Sequence, residues 1–306
     1  MRLAFITDEV SQDTDTIIAF AKHHSLEGLE LRSVAGTAID RLSAAKAREL
    51  AARFRDEGLE LVCLASSFGK HEADESFTAE LEKLDRLIPL ARIFGTKWIR
   101  GFAGFRAATV PAVPPLTPEL LETLATRLGS AYSRLADNGL ELLLEADPSV
   151  YTSSHKKLAQ LLQVLTERYG KSPYGAIYDP GNSVYAPGGE EPWPTAWEAI
   201  RPWLRHVHVK DAIRRRPQRA DGIDAVGDEV ECLRVGDGSV NWRAVLAGLR
   251  AAGYEGWLSM ETHYRLTGQL DEETLKRPGG AAFSDGGLEA TAESVEALRA
   301  LWEDVK

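Results

Sequence analysis

The sequence predicts a single-domain α/β protein, a (β/α)8 TIM barrel over residues 1–306, and three observations carry that prediction. Short runs of consecutive apolar residues alternate with helix-period segments eight times, which is how parallel strands covered by crossover helices read. Glycines at the ends of helical segments (Gly58, Gly95, Gly139, Gly170 and Gly253) supply the left-handed C-cap that turns a helix into the next strand. No Ser/Gly/Pro-rich linker divides the chain, and no GxGxxG follows any strand, so an open sheet built around a dinucleotide has no support.

The units follow in order. LAFIT at 3–7 precedes DTDTIIAFAKHHS, LEGLELR at 26–32 precedes SAAKARELAARFRDEG, and LELVCLAS at 59–66 precedes FTAELEKLDRLIPLARIFG. KWIRGF at 97–102 is followed by TPELLETLATRLGSAYSRLADNG, and LELLLEAD at 140–147 by SSHKKLAQLLQVLTERYG. YGAIYDPGN at 174–182 leads into PWPTAWEAIRPWL, RHVHVKD at 205–211 into NWRAVLAGLRAAG, and YEGWLSMETH at 254–263 into ATAESVEALRALWEDV. Two long connections, GFAGFRAATVPAVPPL and THYRLTGQLDEETLKRPGGAAFSDGG, follow the fourth and eighth strands. Both are expected on the face where barrels build their sites, as walls or lids of a pocket, with a homo-oligomer contact as the alternative.

Bulk properties narrow the function. Lys+Arg of 36 against Asp+Glu of 46 gives a formal charge of −10, and only IRRRPQR at 213–219 is strongly basic. That stretch reads as a solvated charge run, so no nucleic-acid partner is expected. No window offers the apolar length of a membrane span, and the opening MRLAFITDEV reaches Asp8 and Glu9 too soon for a signal-peptide core. The two cysteines, Cys63 and Cys232, form no CxxC and read as buried bystanders of a cytoplasmic protein.

The polar residues that close the strands turn the barrel into a chemical expectation. They are Thr7, Asp8 and Glu9; Glu30 and Arg32; Ser66 and Ser67; Arg100; Glu145; Asp179; His206, His208 and Lys210; and Glu261 with His263. Any one of them alone reads as a paired strand terminus. Three carboxylates and an imidazole on consecutive strands five to eight would repel at one barrel mouth unless a divalent cation sat between them. Such an oxygen-rich set with one nitrogen suits Mn2+ first, with Mg2+, Co2+ and Zn2+ as alternatives.

LLLEAD, YDPGN, HVHVKD and LSMETH, in this order, resemble the metal-binding strand ends of the xylose-isomerase-like barrel superfamily, the sugar phosphate isomerase/epimerase group. The likeness extends to ITDEVSQD, LEGLELRSV and LASSFGK. Similarity to tagatose-epimerase-like members implies Glu145, Asp179, His208 and Glu261 as metal ligands, with Glu145 and Glu261 also the acid/base pair. Those epimerases carry a histidine three residues after the aspartate, where this chain has Asn182.

The expected function is therefore a metal-dependent isomerase or epimerase on a keto-sugar, sugar phosphate or polyol, acting through an enediolate stabilised by the cation. A lyase, inosose-dehydratase-like or a 3-keto-sugar eliminase, shares the first step. A nuclease or a non-catalytic sugar-binding barrel ranks below both. Arg32, Ser66, Arg100, Asn182, Lys210 and Arg234 are expected to hold substrate oxygens, ion pairs being the alternative for the cations. Asn182 could instead orient Asp179, and Gly181 is expected to serve a tight turn. Strand alternation puts His206, His208 and Lys210 on one face. His208 is then the ligand, and His206 supports it from one layer deeper. Trp193 and Trp197 are expected either at the pocket rim or packed at the start of the sixth helix.

Overall fold

The computed structural model describes residues 1–71, 76–105, 115–215, 229–268 and 281–305. Eight strands, β1 (Arg2–Ile6), β2 (Gly28–Leu31), β3 (Glu60–Phe68), β4 (Trp98–Gly101), β5 (Glu141–Glu145), β6 (Tyr174–Tyr178), β7 (Leu204–Val209) and β8 (Trp257–Met260), close into one barrel. Every pairing is parallel, and β8 returns to β1 in the register Arg2 with Trp257 through Phe5 with Met260. The predicted (β/α)8 barrel is the fold observed.

Its outer ring holds α1 (Thr14–His23), α2 (Ala44–Asp56), α3 (Thr78–Phe94), α4 (Pro118–Gly129), α5 (His155–Tyr169), α6 (Pro180–Tyr185), α7 (Trp197–Ile200), α8 (Trp242–Ala251) and α9 (Gly287–Asp304). Short polar side chains start these helices where the sequence places them. Asp13, Ser43, Thr117, Ser154 and Asn241 each accept the backbone N–H three residues on, the first-turn donor a helix cannot satisfy itself. Gly58, Gly95, Gly139, Gly170 and Gly253 all take positive φ, as expected of helix ends.

The helix expected from PWPTAWEAIRPWL departs from expectation. PWPTAWEAIRPWL forms an irregular turn over Pro192–Ala196 and only one regular turn, α7, because Pro192, Pro194 and Pro202 remove N–H donors on either side. The same segment settles the two tryptophans. A Cβ on Gly248 would lie 1.9 Å from the Trp193 ring, so Trp193 packs against α8, and the buried Trp197 stacks behind it at 5.6 Å and meets Tyr178.

The lumen is filled in layers, as in packed barrels of this class. At the N-terminal end Ala4, Val62, Cys63 and Trp257 pack together with Trp98. Gly28 belongs to this layer, since a Cβ there would lie 2.6 Å from the Trp257 ring. Alternation sends Leu29 and Leu31 outward to the helices and Glu30 inward, and sends Val207 and Val209 outward with His206 and His208 inward. Among the described residues no helix is long and apolar enough to cross a membrane.

Candidate metal centre

Each charged group at the barrel's C-terminal end is delivered by a strand whose other face is apolar. Glu145 ends β5, Asp179 follows β6, His208 lies in β7 and Glu261 follows β8. One ligand atom from each of the four lies within 4.8 Å of the other three, and all four residues are buried. Asp179 sits here because it also begins α6, accepting the Asn182 N–H at 3.1 Å with Pro180 at the first helical position.

Gly181 lies inside α6 and not in a turn, correcting the expectation. Its role is close approach, because a Cβ would come 2.8–2.9 Å from the Lys210 side chain and carbonyl. The Asn182 amide donates to Glu145 Oε1 at 3.0 Å and to the Ala146 carbonyl at 2.9 Å, so it orients Glu145 and leaves Asp179 to be oriented by the helix start.

The carboxylates do not need a divalent ion to relieve their repulsion, a correction to the expectation from the strand ends, because the chain's own cations reach in among them. Lys210 Nζ lies 2.8 Å from Asp179 Oδ2 and 3.3 Å from Glu261 Oε2. Arg100 Nη1 contacts Glu145 Oε2 and Glu261 Oε1, each at 3.2 Å, and Arg32 Nη1 reaches Glu261 Oε1 at 3.0 Å. Arg32 also forks onto Asp8 and Glu9, and its guanidinium stacks over Phe283 at 4.1 Å. Burial and these neighbours work against each other on every group. Burial raises Glu261, but Lys210, His208 and Arg100 carry it well below the ordinary carboxylate range. Burial and Glu261 raise Glu145, while His208 and Arg100 leave it lowered. Burial leaves Asp179 raised despite Lys210. His208 resists desolvation through Glu30 and Glu145 and is raised well above the usual histidine value.

Asp179 Oδ2 is buried, and its close contact is the ion pair with Lys210 at 2.8 Å, which lacks hydrogen-bond geometry. Beside it, two further carboxylates and an imidazole complete the donor set that a hard or borderline divalent cation takes. The four residues fit such an ion.

The remaining expected residues divide. Arg32, Arg100, Asn182 and Lys210 join the cluster. Ser66 is buried but gives its hydroxyl to the Arg100 carbonyl at 2.6 Å, a backbone clamp between β3 and β4 in place of a substrate contact. Arg234 lies outside the cluster: it sits half-exposed past the hairpin of 211–215 with 229–233 and forks onto Asp237, three residues on in the same turn. His206 lies one layer deeper, as alternation predicts, with Nε2 2.6 Å from Glu30 Oε1. Most of IRRRPQR, and the central parts of both long connections, lie outside the described residues.

Glu9, Glu30 and His263, visible only as strand-closing polar residues, and Arg265 and the Lys70–Asp147 pair, not visible at all, gain partners at this end of the barrel. Glu9 receives His263 Nε2 at 3.1 Å and Arg265 at 3.7 Å, and with Glu261 and His263 forms a second cluster that Arg32 occupies. Its visible signal was a run of two acids closing a buried strand.

Known proteins bear on this arrangement. Over 146 residues, 44% of this chain, it is 27% identical to an inosose dehydratase of Klebsiella pneumoniae, and it spans about half the length of the curated relatives it matches. Among solved structures, the probable 3-DHS dehydratase AsbF of Bacillus anthracis superposes with a TM-score of 0.71 at 19% identity, covering 98% of this chain and 99% of that one. The IOLI protein, solved with a bound zinc atom, superposes with a TM-score of 0.67 at 13% identity over 100% of this chain and 99% of that one. At these identities the two structures share the fold. A family model described as xylose isomerase-like TIM barrel matches residues 18–301, and the chain belongs to that family.

Proposed function

We propose that the protein is a divalent-metal-dependent lyase acting on an uncharged polyhydroxylated ketone: it removes the proton beside the carbonyl and expels the hydroxyl one carbon further on as water. The observation that carries the metal is the buried set Glu145, Asp179, His208 and Glu261, whose ligand atoms lie within 4.8 Å of one another. When bound there, Mn2+ or a similar cation would supply Lewis acidity toward the substrate carbonyl.

Glu145 and Glu261 are the acid/base pair of this reading, and their surroundings divide the work. Glu261 is contacted by Arg32, Arg100 and Lys210, whereas Glu145 is contacted by one guanidinium, one amide and His208. Glu145 is accordingly the group that takes the proton. Lys210 places N–H donors beside the cluster, where a departing hydroxyl needs one. Arg32, Arg100, Lys210, Lys70 and Arg265 are each already paired with a carboxylate. That supports a neutral polyol over a sugar phosphate.

Elimination is preferred to isomerisation or epimerisation because the curated relative is named a dehydratase and because Asn182 stands where tagatose-epimerase-like members carry histidine. The epimerase reading uses the same two glutamates and differs only in returning the proton. The deciding experiment is NMR of Mn2+-treated and then Mg2+-exchanged protein in D2O with keto-inositols, ketoses and 3-keto-glycosides. An unsaturated or rearranged ketone lacking one water supports the lyase. Deuterium incorporated with all hydroxyls retained makes the protein an epimerase or isomerase. Substrate binding without either change, the same in wild type and Glu145→Gln, would reduce it to a binding protein.

A further inference from the structure

Glu30 lies on β2 in the centre of the lumen, and no step proposed above uses it. It is fully buried, and both of its oxygens face imidazoles: Oε1 lies 2.6 Å from His206 Nε2, and Oε2 lies 3.4 Å from His208 Nε2. His208 is thus engaged from two sides. Its Nε2 faces Glu30 below, while its Nδ1 lies 3.3 Å from Glu145 Oε1 and 3.2 Å from Glu261 Oε2 above. In a ligating histidine, the hydrogen bond made by one ring nitrogen decides which nitrogen is left for the metal.

We propose that Glu30 is a positioning residue that holds the His208 ring with its proton on Nε2, leaving Nδ1 as the nitrogen donor of the Glu145–Asp179–Glu261 cluster. This rests on the metal reading above. A carboxylate that accepts the far N–H of a ligating imidazole fixes both the tautomer and the ring plane, and makes the other nitrogen a better donor. Glu30 is itself held in place. His206 reaches its Oε1, and the His206 ring meets the His208 ring edge-on at 5.3 Å and the Trp98 ring at 5.6 Å. His206 Nδ1 has no hydrogen-bond partner, so the polar engagement of that buried ring is with Glu30. The role of His206 is to anchor the carboxylate that orients His208.

The test uses full-length protein labelled with 15N-histidine, stripped of metal and titrated with Zn2+. Two-bond 1H–15N spectra are expected to show His208 protonated on Nε2, with Nδ1 shifted by the ion. Glu30→Gln, which keeps size and removes the charge, is expected to weaken Zn2+ binding about ten- to a hundredfold while Asp179→Asn removes it. A His208 bound through Nε2, two Zn2+ per chain with Glu30 as a ligand, or a folded Glu30→Gln that binds as tightly as wild type overturns the proposal and leaves the metal site standing. If Glu30→Gln does not fold, the wild-type spectrum decides alone. A wild type that takes up no Zn2+ overturns this inference and the metal reading together.

Discussion

Residue by residue, the mouth of the barrel is a set of acids whose behaviour is assigned by what contacts them. Glu145 depends on Asn182, and the Asn182 backbone N–H, not its amide, caps α6. Asn182→Ala is therefore expected to lower turnover about ten- to a hundredfold, the value of one hydrogen bond to a charged group, and to lower stability in urea denaturation by about 1–3 kcal/mol as the buried Glu145 and Ala146 oxygens lose their donor. Lys70 and Asp147 join the segments after β3 and β5 at 2.9 Å. Burial would raise Asp147, yet Lys70 and Ser149 bring it down to about 2 from an ordinary 3.8. A carboxyl depressed on folding adds stability above its unfolded value and loses it as pH falls toward the folded one. Acid titrations of stability should show about 1–2 kcal/mol fading between roughly pH 4 and 2, and Asp147→Asn should remove that component. That Glu145, Asp179 and Glu261 meet at the barrel mouth was legible because strand-end acids stood out against apolar runs, and His208 because alternation along HVHVKD put it on the same face. Glu30 was not, although an acid between two outward-facing leucines of GLEL was visible; nothing within its own strand hinted that its partners lay on β7.

At the scale of elements, alternation of short apolar runs and amphipathic segments conveyed the barrel, since both periods are local. What local pattern missed was proline chemistry around α7 and the placement of HVHVKD's last residue. The Asp211 carboxylate accepts the N–H groups of Ala212, Gly236, Gly238 and Val240 at 2.9–3.2 Å. It pins the segment after the hairpin to the end of β7. A Cβ on Gly238 would lie 2.1 Å from Asp211 Oδ1. Gly238→Ala should cost roughly 1–3 kcal/mol in urea denaturation, typical of overpacking, and an unchanged midpoint would show that the loop yields freely. Gly181→Ala should instead push Lys210 out of place, raising KM or lowering kcat more than it lowers stability.

For the whole molecule, a cation held by four strands favours the closed barrel over any opened form. Free metal at a hundredfold over its dissociation constant should add about 2.7 kcal/mol, seen as a rise in Tm that EDTA reverses. Asp179→Asn should lose that rise. The charge of −10 and the paired cations argue against a phosphodiester substrate, and added duplex DNA should leave Tm unmoved. Glu261 meets Arg32 across 229 residues of sequence and Arg100 across 161. During synthesis those two guanidinia emerge long before the acid that unites them. A ribosome-bound chain that ends before β8 can neither shut the cylinder nor complete the set of four buried donors, so on the metal reading an ion would enter among the last events of maturation.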